Sequence, residues 1–254
     1  MPLAAVMIVS QGAGLVGIAI VVALSGAEAP PVADLWPAAG AGAAGALALT
    51  AFYRALAIGT MSIVAPISAT GAAVPVVVGL ATGDRPGALV LAGMAIAVAG
   101  VILASREAPG EEAGDRSGRR SILLALVAAL GFGTFFVGMD SAADADVFWA
   151  LLWARAAAVT LLLAGAAIVR PPLRVDRPSA AILCGVGALD LAANALFALA
   201  TTEGLLSLVA VLGSLYPVVT VLLARAVLHE RVRVVQGVGV AAALAGVLLI
   251  AGAQ

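Results

Sequence analysis

Nine stretches of this chain are almost purely apolar, and polar residues gather between them. The runs are Leu3 to Leu24, Trp36 to Ile58, Met61 to Thr82, Gly87 to Ala104, Ser121 to Met139, Val147 to Val169, Ser179 to Ala200, Leu205 to Leu228 and Val232 to Gly252. Most are close to the ~20 residues that a helix needs to cross a bilayer core, where every backbone polar group must be satisfied within its own segment. The pattern therefore predicts an all-α polytopic membrane protein with about nine transmembrane helices. Leu3 to Leu24 has no basic segment before it and is longer than the apolar core of a secretory signal, so it reads as a span. The weakest boundary lies in the nearly continuous run from Trp36 to Thr82, and a turn is expected at Gly59 and Thr60.

The hydrophilic stretch "REAPGEEAGDRSGRR", Arg106 to Arg120, divides the chain and reads as a solvated connector. The two sides of it echo each other. "GDRPGALVLAGMAIAVAGVIL" from Gly83 aligns without gaps to "HERVRVVQGVGVAAALAGVLL" from His229, pairing Arg85 with Arg231 and Gly93 with Gly239. "ALAIGTMSIVA" from Ala55 is answered by "ALATTEGLLSLVA" from Ala198. Corresponding runs lie five spans apart. An odd offset makes the two copies cross the membrane in opposite senses, the inverted arrangement in which secondary transporters build a substrate site.

The residues "YRALAIGTMSIVAPI" from Tyr53, the acidic turns "GDRP" at Gly83 and "HERV" at His229, and "LGSLYPVVTVLL" from Leu212 resemble the EamA family of the drug/metabolite transporter superfamily. The resemblance covers almost the whole chain, twice over. It implies two EamA-like repeats, residues 1–105 and 121–254, joined by the linker 106–120 and holding four and five spans. Ten-helix carriers of this kind have five helices per repeat around a central cavity and commonly export amino acids or other small metabolites. The helix at Ser121 has no counterpart in the first half, and Leu3 to Leu24 matches Val147 to Val169 instead. Either the true start lies upstream and adds a tenth helix, the favoured expectation, or the protein has nine spans. The resemblance also implies that Glu230 fixes the geometry of its turn.

Composition narrows the classes. Hydrophobic residues make up 63% of the chain and charged residues 11%, against about 25% charged in soluble domains. The net charge of -1 and the lack of a basic, aromatic-rich patch exclude a nucleic-acid partner. A single cysteine, Cys184, excludes a disulfide framework and offers no metal spacing. Gly12, Gly14 and Gly17 have the spacing of a dinucleotide-binding turn, but that turn needs a strand before it and an amphipathic helix after it. An uncharged apolar run surrounds these glycines, so they read as a helix packing face. No His lies within a run beside a nucleophile and no Gly-x-Ser-x-Gly occurs, so no enzyme activity, metal or cofactor is expected.

Charge inside a span costs at least about 2.5 to 3.5 kcal/mol on insertion scales. Arg54 and Arg225 lie near span ends and can snorkel to the headgroups, and Asp84, Arg85, Glu230 and Arg231 read as interfacial turn charges. Arg155 and Asp190 are deeper. Asn194 follows Asp190 by four residues on the same helix face. Two readings of Arg155, Asp190 and Asn194 stand side by side: a structural polar contact between neighbouring helices, and a site that binds substrate or a proton. The resemblance adds Tyr53, Phe132, Phe135 and Tyr216 as inward-facing candidates, with helix packing as the alternative. Pro66, Pro75 and Pro217 are expected to interrupt their helices.

These features predict a carrier of small metabolites in the cell (inner) membrane, working by alternating access. A lipid-linked sugar flippase subunit and a non-transporting accessory or remnant protein are the alternatives. The expected partners are a small-molecule substrate and the lipid bilayer, with a homodimer left open. Alternating the loops puts Arg106, Arg116, Arg119, Arg120, Arg170, Arg174, Arg177, Arg231 and Arg233 on one side and only Arg85 on the other. The positive-inside rule makes the first side, with the loop 106–120, cytoplasmic.

Overall fold

A computed structural model describes residues 2–59, 61–104, 115–215, 218, 219, 222 and 234–252. Tyr216, Pro217, Arg225, His229, Glu230, Arg231, Arg233 and Arg106 lie outside the described residues. Within them the protein is helical, without a strand. The helices are α1 (Leu3–Ser25), α2 (Val32–Ile58), α3 (Met61–Ala69), α4 (Ala73–Thr82), α5 (Ala88–Ala104), α6 (Asp115–Ala143), α7 (Val147–Val169), α8 (Arg177–Glu203), α9 (Leu206–Gly213) and α10 (Val234–Gly252). Among the described residues, five stretches are long and apolar enough to cross a membrane: α1, α2, Gly118–Ala143 of α6, α7 and α8. Ile67–Thr82, Ala88–Ala104 and Val234–Ile250 are shorter apolar helices.

The boundaries follow local chemistry. Pro30 and Pro31 precede α2, which starts four residues earlier than the apolar pattern suggested and carries Asp34 in its first turn, where a carboxylate favours the positive end of the helix dipole. Asp146 caps α7 by accepting the Trp149 N–H at 2.8 Å. Asp176 caps α8 through Ser179 N–H at 3.3 Å, and its hydrogen bonds to Ser179 hold its carboxyl below the ordinary aspartate value. Of the stretch 106–120, residues 115–120 belong to α6, and the others lie outside the described residues.

The expected turn at Gly59 is present, since α2 ends at Ile58 and α3 begins at Met61. The run from Met61 to Thr82 is broken, but not at its prolines. A 3₁₀ turn at Thr70–Ala72 separates α3 from α4. Pro66 lies within α3, and Pro75 is the third residue of α4, where its missing N–H would have no intrahelical partner. Gly71 in the break lies so close to the Ala129 carbonyl of α6 that a Cβ would strike it.

The chain forms two compact units, Met1–Thr50 with Thr134–Gly204, and Ala51–Gly133 with Leu205–Gln254. They do not follow the halves of the sequence: each draws on both sides of the linker. Interiors are built of small residues, with Ala38, Ala48, Ala55, Ala97, Ala125, Ala128, Ala150, Ala198 and Ala243 fully buried. Large aliphatic side chains such as Val16, Leu24, Ile182, Leu189 and Leu196 are exposed. Lipid is as apolar as leucine, so membrane helices gain by close backbone approach rather than by hiding large side chains.

In the second unit the contact of α5 with α10 is reciprocal. Gly93 and Gly239 are each the sixth residue of their helix, and Gly100 and Gly246 the thirteenth. Gly93 lies against Gly246, and Gly100 against Gly239. A low position meeting a high one makes the pair antiparallel. In the first unit α1 and α7 both have 23 residues, while α2 and α8 both have 27. Gly42, the eleventh residue of α2, lies on the carbonyl of Ala154, the eighth of α7; Gly187, the eleventh of α8, lies on the carbonyl of Ser10, the eighth of α1.

One charge expected at an interface has a structural partner. Asp84 accepts the backbone N–H of Ser207 at 2.9 Å, satisfying an orphan donor in the first turn of α9, whose own N-cap residue, Leu205, offers no side-chain oxygen. Gly79 makes room for this carboxylate, since a Cβ there would collide with it.

Candidate functional site

The first unit brings three helices together at one buried polar cluster. Helix α1 packs along both α7 and α8, and close approach to α8 is possible because Gly14 lies against Gly187 and Gly17 against the Leu191 side chain. The opening glycines therefore sit inside a helix and two of them face α8. Gly12 has nothing within 4 Å.

Arg155 of α7 is buried, with 7% of its side chain exposed, and its Nη2 lies 2.6 Å from Oδ2 of Asp190, whose side chain is 39% exposed. A polar contact between neighbouring helices, one of the two readings of these residues, is thus present. Asp190 is the fourteenth of the 27 residues of α8, about 20 Å from either end by the helical rise. A charge at that depth needs a partner or a water-filled surface.

Gln11 of α1 completes the cluster. It is 6% exposed, its Oε1 accepts from Nη1 of Arg155, and its Nε2 donates to Oδ2 of Asp190 at 3.4 Å. The amide orientation follows from chemistry, because a guanidinium only donates and a carboxylate only accepts. Gln11 and Arg155 are each the ninth residue of their 23-residue helices. Nothing in the apolar run marked Gln11, since a neutral amide does not stand out there as a charge does. Its spacing from Gly14, one helical turn on the same face, was the available signal.

Asn194 does not join this cluster; its Nδ2 donates at 2.9 Å to the Asp190 carbonyl of its own helix. Phe135 belongs to the same unit, with its ring against Gly45 and 5.7 Å from the Phe136 ring. Phe136 and Phe197, which were not singled out, stack at 4.4 Å. Tyr53 and Phe132 lie in the other unit, both beside Phe52 at 5.8 and 6.1 Å. Tyr216 falls outside the described residues.

The family model of the EamA-like transporter family matches residues 119–252, more than half of the chain. A solved crystal structure superposes with a TM-score of 0.81 at 17% identity, over 99% of this chain and 89% of its own, so the fold is shared with it. No curated protein matches in sequence.

Proposed function

Because the chain belongs to the EamA-like transporter family, a family of multi-pass membrane proteins, we propose that it moves a small metabolite across the cell membrane by alternating access between two inverted repeats. The repeats are residues 1–105 and 121–254, and the reciprocal glycine contacts of α5 with α10 support an inverted relation, as does the matching of α1 with α7 and α2 with α8 in length.

The observation that carries the reading is the Arg155–Asp190 pair in mid-span. Burying two charges in a low-dielectric interior is rarely favourable over apolar residues of the same volume, so a purely packed interior would do without them. A charge pair that a solute can open gives the carrier a binding step coupled to rearrangement of α1, α7 and α8. Asn194, Phe135, Tyr53, Phe132 and Tyr216 are the remaining candidates for contact with the solute.

In the orientation proposed, the arginine-rich loops are cytoplasmic. Loop alternation is supported by two long-range hydrogen bonds, each joining ends assigned to one face: Trp149 Nε1 donates to the Ala27 carbonyl at 3.4 Å, and Asp84 reaches Ser207.

Purified protein in proteoliposomes, loaded with a mixed pool of amino acids, organic acids and nucleosides, tests the function by counterflow. Movement of at least one solute class is expected, and its loss in Arg155→Met is expected with it. A well-folded protein that moves none of them contradicts the proposal.

A further inference from the structure

Two buried donors converge on one carboxylate oxygen. Arg155 Nη2 and Gln11 Nε2 both address Oδ2 of Asp190, at 2.6 and 3.4 Å. The donors and their acceptor differ in accessibility: Gln11 and Arg155 are more than nine-tenths buried, whereas Asp190 keeps 39% of its side chain open. The ion pair is also close without being well aligned. Nη2 is a buried nitrogen with no directed hydrogen bond, although Oδ2 lies within ion-pair distance of it. A buried guanidinium N–H left in that condition forfeits a charge-assisted bond, the strong kind.

We propose that Gln11 and Arg155 form a two-donor seat for a carboxylate oxygen, that Asp190 is its resident occupant, and that the solute carries the carboxylate that replaces it. This rests on the carrier reading above. The exchange is like for like: the charge on the seat stays neutralised while one carboxylate leaves and another enters, so at no stage is Arg155 buried alone. Asp190 is tethered to the middle of α8 and cannot align freely, whereas a free carboxylate can turn to meet both donors. Gln11 supplies a second donor without a second charge. Had the ninth position of α1 been another arginine, the seat would hold two cations against one carboxylate; had it been leucine, it would offer one donor and bind any small anion by charge alone. The seat therefore discriminates a carboxylate from its amide, which brings no negative charge, and from chloride, which is larger than a carboxylate oxygen and a weaker hydrogen-bond acceptor.

The test is chemical rescue of the vacated seat in full-length protein in detergent. Asp190→Ala removes the occupant and is expected to lower Tm. Acetate and propionate should restore it saturably, while acetamide and chloride at equal concentration should not. Adding Gln11→Leu to this variant should raise the half-saturating acetate concentration about tenfold, as expected for one lost hydrogen bond to a charged group. Adding Arg155→Met should abolish rescue. If Asp190→Ala cannot be recovered from membranes, the isosteric Asp190→Asn has to show the same order of ligands. Equal rescue by chloride and acetate, or no effect of Gln11→Leu, overturns the seat. Rescue without solute counterflow by the parent protein sinks the carrier reading while leaving the seat intact as a binding site; counterflow without rescue does the reverse.

Discussion

A buried charge is judged by what its neighbour would do without it. Asp190→Ala leaves the buried Arg155 uncompensated, at a cost of about 3 to 5 kcal/mol, while Arg155→Ala leaves the partly exposed Asp190 and should cost less; each single variant should fall in abundance and in Tm. Replacing both, as Arg155→Met with Asp190→Leu, should recover abundance without recovering transport; fluorescence size-exclusion chromatography and counterflow read the two quantities separately. Asp84→Ala tests a different residue. Losing its cap on α9 should lower stability by about 1 kcal/mol, read as a lower Tm, with Asp84→Asn intermediate between the two. An unchanged Tm in Asp84→Ala would return Asp84 to the role of a solvated turn charge. The sequence exposed Arg155 and Asp190 because charge is conspicuous in an apolar run. It hid Gln11, which is neutral, and it hid the Asp84 cap, whose partner lies 123 positions away and carries no side-chain signal.

Helices were legible wherever composition alone decides them, and less so where contact decides. Apolar length located α1, α5 and α7 closely, but the first turns of α2, α6 and α8 extended beyond it. The break in the third span was sought at its prolines and lies at Thr70–Ala72 between them, because Gly71 has to approach the α6 backbone, a requirement that only tertiary structure reveals. The same distinction sorts glycines. Gly100 sits on the α10 backbone at Gly239 and Ala243, so Gly100→Ala should force the α5–α10 seam apart at a cost of about 1 to 3 kcal/mol, as for other overpacked interiors. Gly12 is mid-helix with open space around it, and Gly12→Ala should be stabilising by about 0.5 to 1 kcal/mol. Thermal unfolding of the two variants side by side checks the contrast; similar shifts would mean that the seam is not close-packed.

At the scale of the whole molecule, the proposed repeats do not coincide with the compact units: each unit takes helices from both sides of residues 106–120, with α1 against α7 in one and α5 against α10 in the other. Orientation belongs to this scale as well. With Arg85 the one arginine among the loops of its side, alkaline phosphatase fused after Gln254 should be active and a fluorescent reporter there dark; the opposite result would invert the proposed topology. The most direct measurement of the central claim is counterflow in proteoliposomes of equal protein content, comparing the parent protein with the Arg155→Met, Asp190→Leu double variant. The parent is expected to move a carboxylate-bearing solute faster than its amide, and the folded double variant to move neither. Equal transport by the two proteins would show that the buried pair only holds helices together, and would contradict that claim.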